Sequence, residues 1–528
     1  MSPRTSSALR AGLAILLLAV LIPLPDRAGE FVLSHFLPPP ADLSAIVLGL
    51  CLLPRGSAVP RALLAAALTV LALWRVADLG MVLAFRRGFN PVLDIHLLAS
   101  GWELGSGTFG TFAMALAAAG AILAVAGVAV LLYWAMGGVP RLPLGHRVGI
   151  GAVGLAAIAI GPGPVLPGEA TSRAERLRTA LAEERRFAAE LNRDHLDRPD
   201  FAALRGRDVF ILFVESYGRA WLEGHPHGET GRARLAAAEE RLAGAGFEMR
   251  SGWFAAPTRG GQSWLSHGAA MSGLWTSSQA RYDALIASDR ASLNRLFAEA
   301  GWRTAAVMPA ITRAWPEADW YGYDEIYDRD RLGYRGKAFE WVTMPDQYTL
   351  SAMDRLTRGR GPVMVEAALI TSHAPWTPLP EILPWQAVGD GSIFDGTRRS
   401  GATPGEVWSA PETIRAAWSR SLDYAIEVVA QWIALSAGDA LVVVLGDHQP
   451  APLVAGDDPS AAVPVHVIAR DRALVERLSG EWSPGLIPGA DLPERPLSEI
   501  RRMIADCYSS RGCRGAPSGQ GPTSSGDT

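Results

Sequence analysis

The sequence predicts two parts: an N-terminal α-helical transmembrane bundle of about five spans, and an α/β domain with a mainly parallel sheet covered by helices on both faces. Three observations carry that expectation. Residues 1–168 of the 528 are mostly apolar, whereas the rest is mixed like an ordinary globular chain. From Asp208 onward, short apolar runs alternate with helical stretches. Polar, chemistry-bearing residues follow three of those runs directly. The expected layout is 1–168 transmembrane, 169–204 an amphipathic linker, 205–506 the α/β domain and 507–528 a disordered tail.

A spanning helix needs about 20 apolar residues. Residues 148–167 and 105–140 are uncharged and meet that length. Residues 62–85 also qualify, although they carry Arg75 and Asp78. Those two are three apart on a helix and can act as glue between helices. Residues 11–25 are short and follow Arg4 and Arg10, which suits a signal peptide or an uncleaved first helix. Residues 43–54 are shorter still and follow the Pro38-Pro39-Pro40 break. An odd number of spans puts the termini on opposite sides. With the N-terminus in the cytoplasm, Arg4, Arg10, Arg55, Arg61, Arg141 and Arg147 lie inside, and Arg27, Arg86 and Arg87 outside. Everything after Gly168 is then extracytoplasmic. The 86–105 loop reads as an interfacial helix and 171–194 as a charged amphipathic helix.

The net charge of −4 gives no nucleic-acid footprint, and Lys337 is the only lysine beside many arginines. Of the three cysteines, Cys51 lies in an apolar stretch. Cys507 and Cys513 form either a disulfide or two free thiols, and an extracytoplasmic domain favours the disulfide.

In the second part, 209–214 (VFILFV), 302–308 (WRTAAVM), 363–370 (VMVEAALI), 440–445 (ALVVVL) and 463–468 (VPVHVI) read as buried strands. Residues 233–243, 292–300 and 413–435 read as helices between them. Ligands of such sheets bind beyond the carboxyl ends of the strands. Glu215 follows the first run, Thr371-Ser372-His373 the third, and Gly446-Asp447-His448 the fourth. Singly, each has a plain reading as a turn or helix cap. Together, a Glu, an Asp and histidines at one sheet edge can bind a divalent cation. The segment 258–263 (TRGGQS) leads into a helix starting near Trp264. Paired glycines allow close backbone approach, and a helix N-terminus attracts an anionic phosphoryl or sulfuryl group. Ser263 there is either a nucleophile or a simple N-cap.

Taken in order, VFILFVES, TRGGQS, TSHAPW and VVVLGDHQP resemble the motifs of the alkaline-phosphatase/sulfatase superfamily, over roughly residues 207–471. With the preceding spans, the chain resembles the lipoteichoic acid synthases and the phosphoglycerol transferases of periplasmic glucans. That resemblance implies an alkaline-phosphatase-like fold and one divalent metal ion, zinc or manganese. It implies Glu215, Ser263, Asp447 and His448 as metal ligands, with Ser263 also the nucleophile. By the same resemblance His373 contacts the phosphate or leaving group, and Trp315 in 312–317 (TRAWPE) contacts substrate. The implied activity moves phosphoglycerol from a membrane phospholipid donor to a glycan or lipid acceptor through a phosphoseryl intermediate. The chain would be a multi-pass protein of the bacterial cytoplasmic membrane, with its catalytic domain facing the periplasm or cell exterior. Alternatives are a phosphoethanolamine transferase, a phosphodiesterase or sulfatase-like hydrolase, and a catalytically inactive membrane-anchored binding module. Serine stands where the synthases have threonine. The Cys-x-Pro-x-Arg signature of formylglycine sulfatases is absent. Residues 380–412 read as a surface loop near the site.

Overall fold

A computed structural model describes residues 3–513, apart from 26–30, 86, 92–93, 96, 161, 195, 197, 225–226, 398, 457–459 and 479. Arg27, Arg86 and positions 514–528 of the expected tail therefore lie outside the described residues. The chain divides into two compact units, Met1–Glu183 and Glu184–Thr528.

In the first unit, two helices, Ala58–Phe85 and Thr111–Arg141, are long and apolar enough to cross a membrane. Three apolar helices are shorter: Thr5–Leu21, Ala41–Leu52 and Leu144–Ala159. The uncharged run 148–167 is not one helix. Its helix, Leu144–Ile160, stops ahead of Pro162 and Pro164, and the next begins at Leu166. Arg75 pairs with Glu169, and Asp78 with Arg173 at 3.0 Å. The two charges thus fasten their helix to the start of Leu166–Leu191. Part of the 86–105 loop is helical, as Leu97–Phe109.

The second unit is built on a mixed nine-stranded sheet. Its strands are β1 Val209–Val214, β2 Glu248–Ala255, β3 Arg303–Met308, β4 Glu325–Asp328, β5 Val363–Leu369, β6 Leu441–Gly446, β7 Ala462–Ala469, β8 Ser483–Pro484 and β9 Glu494–Pro496. They run in the order β4-β3-β5-β1-β6-β7-β2-β8, with β9 on β2. From β4 to β6 every pairing is parallel. β7 runs antiparallel to β6, and β2 antiparallel to β7. The mainly parallel expectation thus holds for five strands and fails on the flank. The reason is that an apolar run such as VPVHVI encodes burial on both faces but not direction. β2, β4, β8 and β9 went unread because none is a continuous apolar run.

Side chains alternate across the sheet, so each face carries its own core. Phe210, Leu212 and Val214 of β1 join Val363, Val365 and Val442 on one face, beneath the helix Pro411–Ser436. Val209, Ile211 and Phe213 join Met364, Val443 and Leu445 on the other. The last turns of Leu166–Leu191 belong to this unit. There Phe187 is buried and Glu184 pairs with Arg281 at 3.2 Å. Cys507 and Cys513 are joined by a disulfide. The 380–412 excursion is not a loose loop: it buries Val388, Phe394 and Val407 in the core and contributes none of the residues lining the cleft described below.

Candidate active site

Three parallel strands in the middle of the sheet, β5, β1 and β6, end side by side. Glu215 N–H extends the β1–β5 pairing by donating to Leu369 O at 3.0 Å, and Asp447 N–H donates to Val214 O at 3.3 Å. The turns after β1 and β6 therefore lie against each other. Gly446 allows this, since a Cβ there would fall 1.9 Å from Tyr217 O. Asp447 locks the contact: its Oδ1 accepts from Ser216 N–H at 2.8 Å and from His448 N–H at 2.7 Å. Ser216 itself takes a positive φ of 55°, a conformation that non-glycine residues rarely adopt.

This backbone brings Glu215, Asp447 and His448 together, with ligand-type atoms within 4.8 Å of one another and exposures of 9, 2 and 1 %. The imidazole Nδ1–H of His448 donates to Gln449 O at 3.0 Å, which leaves Nε2 as the bare nitrogen. Nε2 lies 3.3 Å from Glu215 Oε1 and 3.6 Å from Asp447 Oδ2. It is buried and, among the described residues, without a hydrogen-bond partner. Lone pairs converging in a buried space call for a cation, and this donor set of two carboxylates and one imidazole fits zinc or manganese.

The electrostatics say the same with a proton in that place. Burial and the charge of Glu215 push Asp447 up to about 7. Against burial, Asp447 and Glu215 hold His448 up at about 9. Glu215 stays well below the usual carboxylate range despite its burial, because His448 and His373 favour its ionised form.

Ser263 arrives from the other side. Gly260, Gly261 and Gln262 have consecutive φ values of 68°, 141° and 63°, a left-handed path leading into the helix Ser263–Ser272. Gly260 N–H donates to Gln449 O at 2.8 Å, which ties this loop to the Asp447-His448 turn. The N-cap position is Gln262, not Ser263, and no side chain caps the helix. The Ser263 hydroxyl instead donates to Glu215 Oε2 at 3.3 Å.

Glu215, Ser263, Asp447, His373 and Trp315 all line one cleft of ≈ 270 Å³. His448 stands behind it. His373 follows β5; its Nδ1–H donates to Ala374 O at 2.6 Å and its ring stacks on Trp341 at 3.5 Å. Trp315 packs against Tyr321 and Tyr323, 5.7 and 5.9 Å between ring centroids. All six residues singled out in the sequence thus meet at one place. Sequence reasoning missed Trp341, Tyr282, His267 and Glu366 of the same cleft. His267 had a signal, four residues after Ser263 on one helix. So did Glu366, a lone acid inside an apolar run.

No family model and no curated protein matches the chain. Solved structures do. One is the lipoteichoic acid synthase LtaP from Listeria monocytogenes, at 13 % identity and a TM-score of 0.37, over 63 % of this chain and 78 % of that one. Another is the C-terminal periplasmic domain of EcEptC from Escherichia coli in complex with Zn, at 14 % and 0.38, over 57 and 82 %. A third is the phosphoglycerol transferase GacH from Streptococcus pyogenes in complex with sn-glycerol-1-phosphate, at 11 % and 0.38, over 64 and 82 %. These are structures of the alkaline-phosphatase/sulfatase superfamily, and the likeness is one of fold alone.

Proposed function

We propose that the chain is a membrane-anchored, metal-dependent transferase that moves phosphoglycerol from phosphatidylglycerol to a hydroxyl of an envelope glycan or lipid. One observation carries this reading: the Ser263 hydroxyl, at an uncapped helix N-terminus, donates to Glu215 beside Asp447 and His448. Glu215, Asp447, His448 and Ser263 would hold one divalent ion, zinc or manganese. When bound, such an ion stabilises charge on phosphoryl oxygens and favours the ionised form of a hydroxyl.

The chain's own residues do the rest. The open N–H groups at the start of Ser263–Ser272 attract the donor's phosphoryl group. Glu215 Oε2 orients Ser263 Oγ by accepting its hydrogen bond. Ser263 Oγ releases its proton to solvent and bonds to phosphorus, and the bond from phosphorus to the diacylglycerol oxygen breaks. His373, fixed by Ala374 O and Trp341, protonates that oxygen from Nε2. The acceptor hydroxyl then bonds to phosphorus as the bond from Ser263 Oγ breaks; its proton returns to His373, and Ser263 Oγ regains a proton from solvent. Water in the acceptor's place would make the same site a hydrolase.

The two apolar helices support anchoring, and the three shorter ones would bring the bundle to about five spans. A soluble unit facing the periplasm or exterior of a bacterial cytoplasmic membrane suits the Cys507–Cys513 disulfide. A second reading is favoured by the cleft's charge. Among the described residues no arginine or lysine lines it, while Glu215, Asp447 and Glu366 do. That wall suits a neutral or a cationic head group, so phosphoethanolamine transfer is the alternative. Phospholipids labelled in the head group, given to the wild type and to Ser263→Ala, test both. Transfer of labelled glycerol phosphate that Ser263→Ala abolishes is expected. Undiminished transfer by the variant removes Ser263 as nucleophile, and label moving only from the ethanolamine lipid removes phosphoglycerol.

A further inference from the structure

Below Ser263 the cleft reaches polar groups that the chemistry above does not use. Glu366 sits inside β5, between β1 and β3 in the sheet, with no exposed surface. An ionised carboxylate in such a place is costly unless its lone pairs are filled. They are. Oε2 accepts from Tyr323 Oη–H at 2.6 Å and from Asn294 Nδ2–H at 3.2 Å, and Oε1 lies 2.7 Å from His267 Nδ1. No arginine or lysine among the described residues pairs with it. Tyr323 and Asn294 donate to Oε2, and His267 Nδ1–H donating to Oε1 gives the other oxygen its donor.

That bond fixes the state of the other nitrogen. With the proton on Nδ1, Nε2 of the neutral ring is an acceptor. The ring cannot swing away, because it stacks on Phe213 at 3.8 Å and 23°. His267 is 8 % exposed and lines the cleft, and Nε2 has no partner among the described residues. Ser263 lies one helical turn before it on the same face, a Cβ separation of about 5–6 Å. A group joined to Ser263 Oγ thus shares one cleft with this acceptor, between the aromatic walls of Tyr282, Trp315 and Tyr321.

We propose that His267 Nε2, set by Glu366, reads a hydrogen-bond donor on the head group carried by the phosphoryl at Ser263, either a hydroxyl or an ammonium N–H. This rests on the reading of Ser263 as nucleophile. It adds a specificity rule: glycerol and ethanolamine head groups carry such a donor, and choline, fully methylated, does not. His267 is the contact, and Glu366 is a positioning residue that acts through it. A site built around one hydrogen bond discriminates strongly against the analogue that lacks it.

The test uses the full chain in detergent with added zinc or manganese, and calorimetric titration of glycerol phosphate, phosphoethanolamine and phosphocholine. In the wild type, phosphocholine is expected to bind at least about tenfold more weakly than the other two. His267→Leu should weaken the first two by about tenfold and leave phosphocholine within about twofold, which erases the ranking. Glu366→Gln should erase it likewise. His267→Gln, which keeps an acceptor oxygen, should restore part of it, and serves if the leucine variant does not fold. Equal binding of all three by the wild type, binding of none, or an unchanged ranking in folded His267→Leu overturns the proposal. The two readings fail separately. A chain that ranks head groups but forms no adduct on Ser263 loses the transferase reading alone. A chain that forms the adduct regardless of head group loses the His267 subsite alone.

Discussion

Two buried histidines in neighbouring parts of the sheet meet opposite fates. His466 lies within β7, opposite Val444 of β6, and has both ring nitrogens engaged. Nε2 meets Tyr217 Oη at 3.0 Å and Nδ1 meets Ser251 Oγ at 2.6 Å. Among the described residues no carboxylate faces it, and burial lowers it to about 3, so it stays neutral. His448, a few residues beyond the end of β6, is as deeply buried but has one nitrogen engaged and the other bare between two carboxylates. Burial therefore does not mark a functional histidine. The bare nitrogen between two carboxylates is what sets His448 apart and supports the proposed metal site.

The sharpest way to break that contrast is to remove each ring. His448→Ala or Asp447→Ala should abolish stoichiometric zinc or manganese by elemental analysis. Phosphoryl transfer should fall on the order of 10³-fold or more, the scale of losing a preorganised charge contact. His466→Ala should keep its metal. A His448→Ala protein with one equivalent of tightly held ion would end the metal assignment. The next effect in size belongs to His466. Its loss leaves a cavity and one orphaned hydroxyl, on Tyr217, while Ser251 Oγ keeps its bond to Gly485 O, and should lower unfolding stability by about 3 kcal/mol. Thermal or denaturant unfolding at neutral pH would show it, and a change under about 0.5 kcal/mol would deny that the ring is structural.

Chelation sharpens the same contrast at smaller scale. An ion present at 100 times its dissociation constant adds about 2.7 kcal/mol to the folded state. Stripping it should lower the melting temperature of the wild type and of His466→Gln but not that of His448→Ala. Equal shifts in all three would mean that the ion binds elsewhere.

How much of this was legible depended on whether the signal was local. The ends of β1, β5 and β6 could be read because each is an apolar run broken by a polar residue that the sheet cannot absorb. Glu215, His373, Asp447 and His448 stand at those ends, and the resemblance to a known family added the roles proposed for them. β2 was hidden because Arg250, Ser251 and Gly252 interrupt its apolar pattern, although the fold buries most of the strand between β7, β8 and β9. That Gln262 and not Ser263 takes the N-cap position follows from a left-handed backbone, with a positive φ at Gln262, which the letters TRGGQS do not disclose. Trp341 and Tyr282 left no trace, since only the tertiary fold brings them to the cleft. In the apolar half, composition alone missed that Pro162 and Pro164 cut the 148–167 run short.

The smallest effect tests the neutral state of His466 directly. Its pKa in the folded protein, about 3, lies below the ordinary 6.5. Between those values the unfolded chain binds a proton that the folded one refuses, so stability is full above pH 6.5 and falls as pH drops toward 3. From pH 7 to pH 5 the loss from this one ring is about 2 kcal/mol. Other groups titrate over the same span, so the informative quantity is the difference between wild type and His466→Gln, whose amide cannot be protonated there. The glutamine variant has its own fixed cost from imperfect packing, and that cost does not vary with pH. The gap between the two proteins should therefore narrow by about 2 kcal/mol on acidification from pH 7 to 5. A constant gap would mean that His466 can accept a proton in place, and that it resembles His448 more closely than its two hydroxyl partners imply.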